Sequence, residues 1–208
     1  AGVGGTNRDI TFLAQRIEAG NLSDLAWGTA SAISITISFW FRSSLAGQRS
    51  IFIYNPNSVR YYQAAFTINN ANTWTFVSVV IPGDTGGGFG ASTTEGLRIE
   101  WRTSCAGTFL STASTAWAAL GGQRGVTGDV DFFGTLNATM DIAGMQFEKG
   151  TAATSFDYRS IGTETLLCQR YYLRDTYTVA GSNPRMIVSG YMYSTAQFEG
   201  VYTYPVEM

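Results

Sequence analysis

Histidine is absent from the 208 residues of this chain, and lysine occurs only at Lys149. Without histidine the chain lacks the residue type that serves most often as a general base. It also cannot form the Ser-His or Cys-His pairs that activate a nucleophile. The usual nitrogen ligand of zinc is missing as well. The composition therefore argues against the common hydrolases and against a zinc centre.

Cysteine is scarce too, since the chain has only Cys105 and Cys168, which lie far apart and have no CxxC spacing. Two cysteines so placed do not predict a metal site. Two alternatives stay open for them: a single disulfide, or two thiols in a protein made in a reducing cytoplasm. The small number favours thiols, because small secreted domains usually carry more cysteines.

Long apolar runs and a strong net charge are also missing. No run approaches the ~20 apolar residues that are needed to span a bilayer. The first residues, Ala1–Gly5, have neither the basic region nor the apolar stretch of a signal peptide. The formal net charge of −2 gives no general attraction to nucleic acid or anionic lipid. The sequence thus predicts neither membrane insertion nor nucleic-acid binding.

The chain does contain the pattern of a β protein. Apolar and polar side chains alternate in Ile33–Arg42, and Trp40 and Arg42 stand at the polar positions together with Ser and Thr residues. A period of two sustained over this length predicts a strand with one face in a core. At this length, and with 45% apolar residues, the chain can form one large sandwich or a sandwich with a small extra unit.

Further strands follow from the same alternation and from the turn clusters between the runs. The predicted strands are Thr11–Glu18, Arg49–Tyr54, Arg60–Ile68, Trp74–Ile81, Gly96–Ser104, Val126–Phe133 and Ala138–Phe147. Residues 21–25 suggest a short helical turn, and residues 106–125 an irregular excursion. A helix is predicted over Thr163–Arg170, with Thr163 as its cap and Glu164 in its first turn. Two β-prone runs, Met186–Tyr193 and Gln197–Val206, follow a loop at Asn183-Pro184.

These elements predict three parts of the chain. Residues 1–9 are a Gly-rich flexible lead-in, and residues 10–159 are a β-sandwich domain. Residues 160–208 hold the short helix and the C-terminal strands, which form either an incomplete domain or one that closes in another way.

Several segments, in order along the chain, resemble known proteins. Met145–Arg159 and Gln169–Tyr172 resemble a segment that recurs in tail-fibre and tail-appendage proteins of bacteriophages. Ile35–Arg42, Asn72–Phe76 and Ile142–Glu148 are similar to strands of carbohydrate-binding modules with a jelly-roll fold. The resemblance covers about Thr11 to Tyr172. It implies an all-β jelly-roll sandwich, followed by a short helix and a small C-terminal β region.

The function implied by the resemblance is that of a phage virion structural protein, part of a tail fibre or appendage, that binds a host cell-surface glycan. The implied partners are other tail proteins, two further copies in a homotrimer, and host surface polysaccharide. The implied location is the virion, after synthesis in the host bacterial cytoplasm. Two alternatives remain: an architectural decoration or adaptor module without a ligand, and an accessory sugar-binding module of a polysaccharide-degrading enzyme.

No cofactor is expected. Many jelly rolls of the resembling kind carry an Asp pair at a structural calcium in the closing strand, whereas this chain has Ala143 and Gly144 there. Asp129, Asp131 and Asp141 lie near one another in sequence, but glycoside cleavage needs a carboxyl pair about 5–9 Å apart, one of them held neutral. Nothing in the sequence indicates such a pair, so no enzyme activity is predicted.

The candidate ligand-binding residues occupy the polar positions of predicted strands and the loops between strands. If their two strands shared a sheet, Trp40 and Arg42 would join Arg98, Glu100 and Arg102 on one exposed face. Aromatic rings and planar polar groups suit the C–H faces and hydroxyls of sugars. The alternative for this set is a salt-linked, partly buried sheet face or a subunit contact.

Two loop-end aromatics, Tyr61 and Phe89, are further candidates, because loops often carry binding residues. For Phe89 the alternative is that it fills an interface. Trp74 and Trp101 share the parity of core positions and are predicted to be packing residues.

Overall fold

The computed structural model of the chain describes residues 11–105, 109–169, 189–194 and 197–201. The chain divides between Phe156 and Asp157 into two compact units. The predicted lead-in, residues 1–9, and the predicted loop at Asn183-Pro184 lie outside the described residues.

The first unit is an antiparallel β-sandwich, which confirms the predicted fold class. Its strands are β1 (Thr11–Glu18), β2 (Ile35–Ser43), β3 (Gly47–Asn55), β4 (Arg60–Ile68), β5 (Thr75–Ile81), β6 (Glu95–Ser104), β7 (Leu110–Ser111), β8 (Ala118–Ala119), β9 (Gly125–Val126) and β10 (Met140–Lys149). One sheet has five strands in the order β1-β6-β3-β4-β8, and the facing sheet has three in the order β10-β2-β5. A 3₁₀ helix, Ala19–Leu25, follows β1, and β7 pairs with β9 in parallel.

The core lies between the two sheets. The apolar parity of β2 faces inward, so that Ile35, Ile37, Phe39 and Phe41 are at most 1% exposed. Side chains of both sheets complete this core, among them Ile51, Ile53, Val77, Ile81, Leu97, Ile99 and Trp101. Each fully buried side chain of this size contributes about 1.5–3 kcal/mol. The alternation that predicted β2 is therefore what holds the sheets together.

A long segment after β6 crosses the outer side of the five-stranded sheet. We call residues 109–131 the strap. Its backbone is tied to the sheet: Ser114 N donates to Gln63 O at 2.8 Å, and Val130 N donates to Gln48 O at 3.0 Å. Gln63, which is fully buried, also donates through Nε2 to Ser111 Oγ at 2.6 Å. The strap thus covers the middle of this outer face.

The strand predicted over Val126–Phe133 is wrong, because only Gly125–Val126 forms a strand there. Polar side chains organise this stretch as turns. Asp129 accepts a hydrogen bond from Val126 N at 3.3 Å, and Asp131 accepts one from Phe133 N at 3.0 Å. Short carboxylate side chains compete in this way with a strand ladder for backbone donors.

The second unit contains helix α1 (Ile161–Gln169) and the paired strands β11 (Ser189–Ser194) and β12 (Gln197–Val201). Ser160, rather than the predicted Thr163, caps the helix: its Oγ accepts from Thr163 N at 3.3 Å. The helix therefore begins two residues earlier than predicted. Cys105 is half-buried, Cys168 is exposed, and both are thiols.

Candidate functional site

The outer side of the three-stranded sheet is open to solvent and carries a regular grid of side chains. We call this side the open face. In the register of β5, β2 and β10, Trp40 lies between Phe76 and Ala143, and Arg42 lies beside Asp141. One step to the other side of Trp40, Ser38 lies between Ser78 and Gln146. Residues two apart on a strand share a face, so these rows lie on one side of the sheet. Its exposed part centres on Trp40, Phe76 and Arg42, whereas Ser38 and Thr36 on the same side of β2 are only 3% and 0% exposed.

Three aromatic side chains form the middle of the open face. Trp40 is 45% exposed, Phe76 48% and Trp74 41%. The rings of Trp40 and Phe76 lie 5.4 Å apart between centroids at a tilt of 59°. This contact holds the two rings side by side while leaving about half of each in water. The pair is an aromatic platform, built from strands that are buried on their other side.

An ion pair lies next to the platform. Arg42 Nε lies 3.0 Å from Asp141 Oδ2, and both side chains are about two-fifths exposed. The guanidinium also stands over Trp74, with Cζ 5.0 Å from the ring centroid. These contacts fix the plane of Arg42, which is the condition for directional hydrogen bonding by a guanidinium.

A bulge in β10 shapes the platform from its other side. Pairing with β2 is interrupted between Ala143 and Gln146, and Gly144 in this gap has φ +55°. A Cβ at Gly144 would lie 3.4 Å from Trp40 Cδ1 and 3.8 Å from Phe156 Cδ2. The glycine backbone thus lies against both rings. Phe156 is 40% exposed and extends the aromatic surface.

The connector after β10 folds back along that strand and brings Phe156 to the bulge. Gln146 Nε2 donates to Thr154 Oγ1 at 3.1 Å, and Thr154 N donates to Glu148 Oε2 at 3.1 Å. The Thr154 hydroxyl also donates to the Glu148 carboxylate. These bonds lower the pKa of Glu148, with the Thr154 hydroxyl as the largest cause. The open face therefore keeps a negative charge at this end.

Of the predicted site residues, Trp40 and Arg42 lie on the open face, but Arg98, Glu100 and Arg102 do not. Strands β2 and β6 belong to different sheets, so the condition for a single cluster is not met. They lie on the outer side of the five-stranded sheet instead: Glu100 and Arg102 are 4% and 3% exposed, and Arg98 is half-buried beside Glu95 and Tyr54. The alternative of a salt-linked buried sheet face describes them.

The buried pair has its own electrostatics. Arg102 Nη2 lies 2.5 Å from Glu100 Oε2, and the guanidinium lies 4.4 Å from the Phe52 ring centroid. Burial lowers the pKa of Arg102 to about 10 and raises the pKa of Glu100 above its usual range. Among the described residues, no group accepts a hydrogen bond from Arg102 Nε or Nη1. The pair carries the desolvation cost of two buried charges, and it lies where a ligand cannot reach it.

Tyr61 and Phe89 are also buried, which corrects their interpretation as exposed platforms. Tyr61 is 8% exposed and stacks on Phe52 at 5.3 Å between centroids. Phe89 is 9% exposed and stacks on Trp27 at 4.9 Å. Tyr61 lies within β4 and packs on the outer side of the five-stranded sheet, and Phe89 belongs to the core cluster.

The open face also contains residues that the sequence did not indicate. Trp74 was predicted to pack in the core, yet it is exposed, and Phe76, Asp141 and Phe156 were not proposed as ligand contacts. A signal for β5 was present: Val77, Val79 and Ile81 are uniformly aliphatic, so Phe76 belongs to the opposite face. Trp101 does pack in the core, as predicted, at 3% exposure.

Asp129 and Asp131 are both held by hydrogen bonds to the five-stranded sheet. Asp129 accepts hydrogen bonds from Gln48 and Ser50, and Asp131 accepts one from Ser104, so both tie the strap down. No group of three Cys, Asp or Glu residues there could hold a metal ion. No helix among the described residues has the length and apolar character that crossing a bilayer requires.

A pocket of about 340 Å³ opens between the edge strands β1 and β10. Leu13, Trp101, Ile142 and Met145 give it a mostly apolar wall, with Gln15 as the polar side chain. The wall has no charged side chain, so the pocket offers packing space but no acid or base.

Comparison of the chain with protein-family models, curated proteins and solved structures gave no match. A function is therefore argued from the geometry of the open face, together with the resemblance of the segments quoted above.

Proposed function

We propose that this chain is a non-enzymatic binding module of a phage tail fibre or appendage, and that its open face binds a host cell-surface glycan. The observation that carries the proposal is the half-exposed platform of Trp40 and Phe76, with the Arg42–Asp141 pair beside it. Exposed apolar surface framed by polar groups marks interaction sites. Among the described residues no comparable surface exists over the middle of the other sheet, because the strap covers it.

The chemistry of the platform suits a sugar ring. One face of a pyranose presents C–H groups, which pack on the negative face of an aromatic ring, while its equatorial hydroxyls reach polar side chains at the edge. Arg42 supplies fixed donors and Asp141 an acceptor at that edge. The face thus provides both kinds of contact within neighbouring rows of one sheet.

The assignment to a virion tail rests on the resemblance of Met145–Arg159. This segment begins within the bulge, one residue after Gly144, and contains the connector that brings Phe156 to the platform, so it contributes directly to the proposed site. The proposed partners are other tail proteins and further copies in a homotrimer.

The test is glycan binding by the full chain and by single variants. Trp40→Ala and Phe76→Ala should each weaken saturable binding to host polysaccharide at least tenfold, because each removes half of the stacking surface. Phe133→Ala is the matched control, since Phe133 is 54% exposed and lies outside the open face. Isothermal titration measures the affinities, and far-UV circular dichroism checks folding. Binding that survives both platform variants at full strength would refute the site.

A second candidate is an architectural module whose open face is covered by another copy. It is favoured by the apolar residues Val80 and Phe156, which lie on the same side of the sheet as the platform at 43% and 40% exposure. In that case light scattering gives a multiple of the 22.5 kDa chain mass, and Trp40→Ala returns the protein to a monomer. Glycan arrays would then show no binding that depends on Trp40.

A further inference from the structure

The charges on the open face restrict which glycan it can bind. By register, the outward side chains of β2, β5 and β10 include one cation, Arg42, and two carboxylates, Asp141 and Glu148. Arg42 is already paired with Asp141. The described part of the face therefore carries a net negative charge, with a carboxylate on either side of the aromatic platform.

The ion pair still has hydrogen-bonding capacity. Among the described residues, only Nε of Arg42 donates to Asp141, and it donates to Oδ2. The two terminal nitrogens of Arg42 and Oδ1 of Asp141 thus have no hydrogen-bond partner there. A fixed donor and a fixed acceptor side by side match adjacent hydroxyls, each of which both donates and accepts.

The spacing of the rows gives a direction for the ligand. Arg42 lies two residues from Trp40 along β2, which is roughly 6.6 Å in a strand. That distance is comparable with the length of one sugar unit. A chain of sugars parallel to β2 would place one ring on Trp40 and Phe76 and the hydroxyls of the next at Arg42 and Asp141. Its other end would pass over Ser78 and Gln146, which flank the buried Ser38, toward Glu148.

We propose, resting on the function proposed above, that the ligand is a neutral polymer of hexopyranose units that lies along β2, and that Asp141 and Glu148 exclude acidic glycans. Asp141 accepts from a sugar hydroxyl, and both carboxylates repel uronate, sulfate or phosphate groups at the neighbouring units. Like charges brought together at a binding surface cost affinity and so provide specificity.

The experiment compares each polysaccharide that binds the full chain with its own carboxymethylated form, by bio-layer interferometry at low salt. We expect carboxymethylation to weaken binding at least tenfold and Glu148→Gln to recover part of that loss. Asp141→Asn should weaken binding of the neutral polymer about tenfold, because it breaks the Arg42 pair and removes a charged acceptor. Asp24→Asn is the matched control: Asp24 is also an exposed carboxylate in an ion pair, with Lys149, but lies off the face.

The possible outcomes separate the two proposals. If the carboxymethylated polymer binds as tightly as its neutral parent while Trp40→Ala weakens both, the neutral-glycan inference is wrong and the binding function stands. If Asp141→Asn has no more effect than Asp24→Asn, the hydroxyl contact is wrong. If no polysaccharide binds in a manner that depends on Trp40, the proposed function itself fails, and this inference fails with it.

Discussion

At the scale of single residues, Gly144 has the most influence on the open face. It adopts φ +55° in the bulge of β10 and lies against both Trp40 and Phe156. A side chain in this left-handed region strains the backbone, and Asn tolerates the region better than most residues. The glycine is therefore required by the backbone, not by a lack of space.

Gly144→Ala should lower the free energy of unfolding by about 1–2 kcal/mol, because the alanine Cβ lies too close to the following carbonyl oxygen in the left-handed region. Gly144→Asn should cost less than Gly144→Ala even though Asn is larger. Urea unfolding followed by tryptophan fluorescence measures both variants. Gly121→Ala is the control, because Gly121 lacks a positive φ and faces only the flexible Gln123 side chain. A larger cost for Asn than for Ala would contradict the backbone argument.

The buried pair of Glu100 and Arg102 gives a second prediction at this scale. Glu100→Leu should destabilise by about 3–5 kcal/mol, because it leaves the Arg102 charge buried without its partner. The double change Glu100→Leu with Arg102→Leu should lower the free energy of unfolding less than Glu100→Leu alone, since no buried charge remains and Phe12 and Phe52 give an apolar environment at position 102. Denaturant midpoints of the two variants decide this. A double variant less stable than the single one would show that the pair stabilises the fold.

At the scale of elements, the strap is the segment whose attachment depends on polar side chains. Asp129 accepts from Gln48 Nε2 at 3.1 Å and also from the Ser50 hydroxyl. Asp129→Ala should lower the free energy of unfolding by about 1–3 kcal/mol, because it leaves these donors without their acceptor. Hydrogen exchange should then rise in residues 109–131 and stay unchanged in β2 and β5. Equal increases in both sheets would mean that the strap and the sandwich open together.

The sequence predicted the strands better than it predicted which faces they present. The bounds of β1 and β4 are those predicted, because a period of two is local information. The sheet to which a strand belongs depends on distant pairing: β2 pairs with β10, about a hundred residues further on. For this reason the sequence left open whether Trp40 and Arg98 share a face, and the structure places them on different sheets. An irregular segment was predicted over residues 106–125, but its attachment to the sheet was not, because that attachment comes from individual Asp, Ser and Gln contacts, which have no period.

At the scale of the whole molecule, all five tryptophans lie before Phe156, within the first compact unit. Tryptophan fluorescence therefore reports on this unit alone. Because the unit is compact by itself, a chain that ends at Phe156 should fold without residues 157–208. Its urea unfolding curve, followed by tryptophan fluorescence, should overlay that of the full chain, because a compact unit has its own core. A shift of the midpoint by more than the fitting error would show that residues 157–208 stabilise the sandwich.

The strap also makes the two broad sides of the sandwich different from each other. One broad side is free to meet a ligand, and the other is occupied by the chain's own backbone along much of its length. Under the proposed function, a neighbouring protein that docks on the open face competes with the glycan, so attachment to other proteins has to use the side that carries the strap or the edges of the sandwich. The proposal therefore predicts that a particle holds this module in one orientation, and that chemical cross-links to other particle proteins map to the strap rather than to β2 and β5.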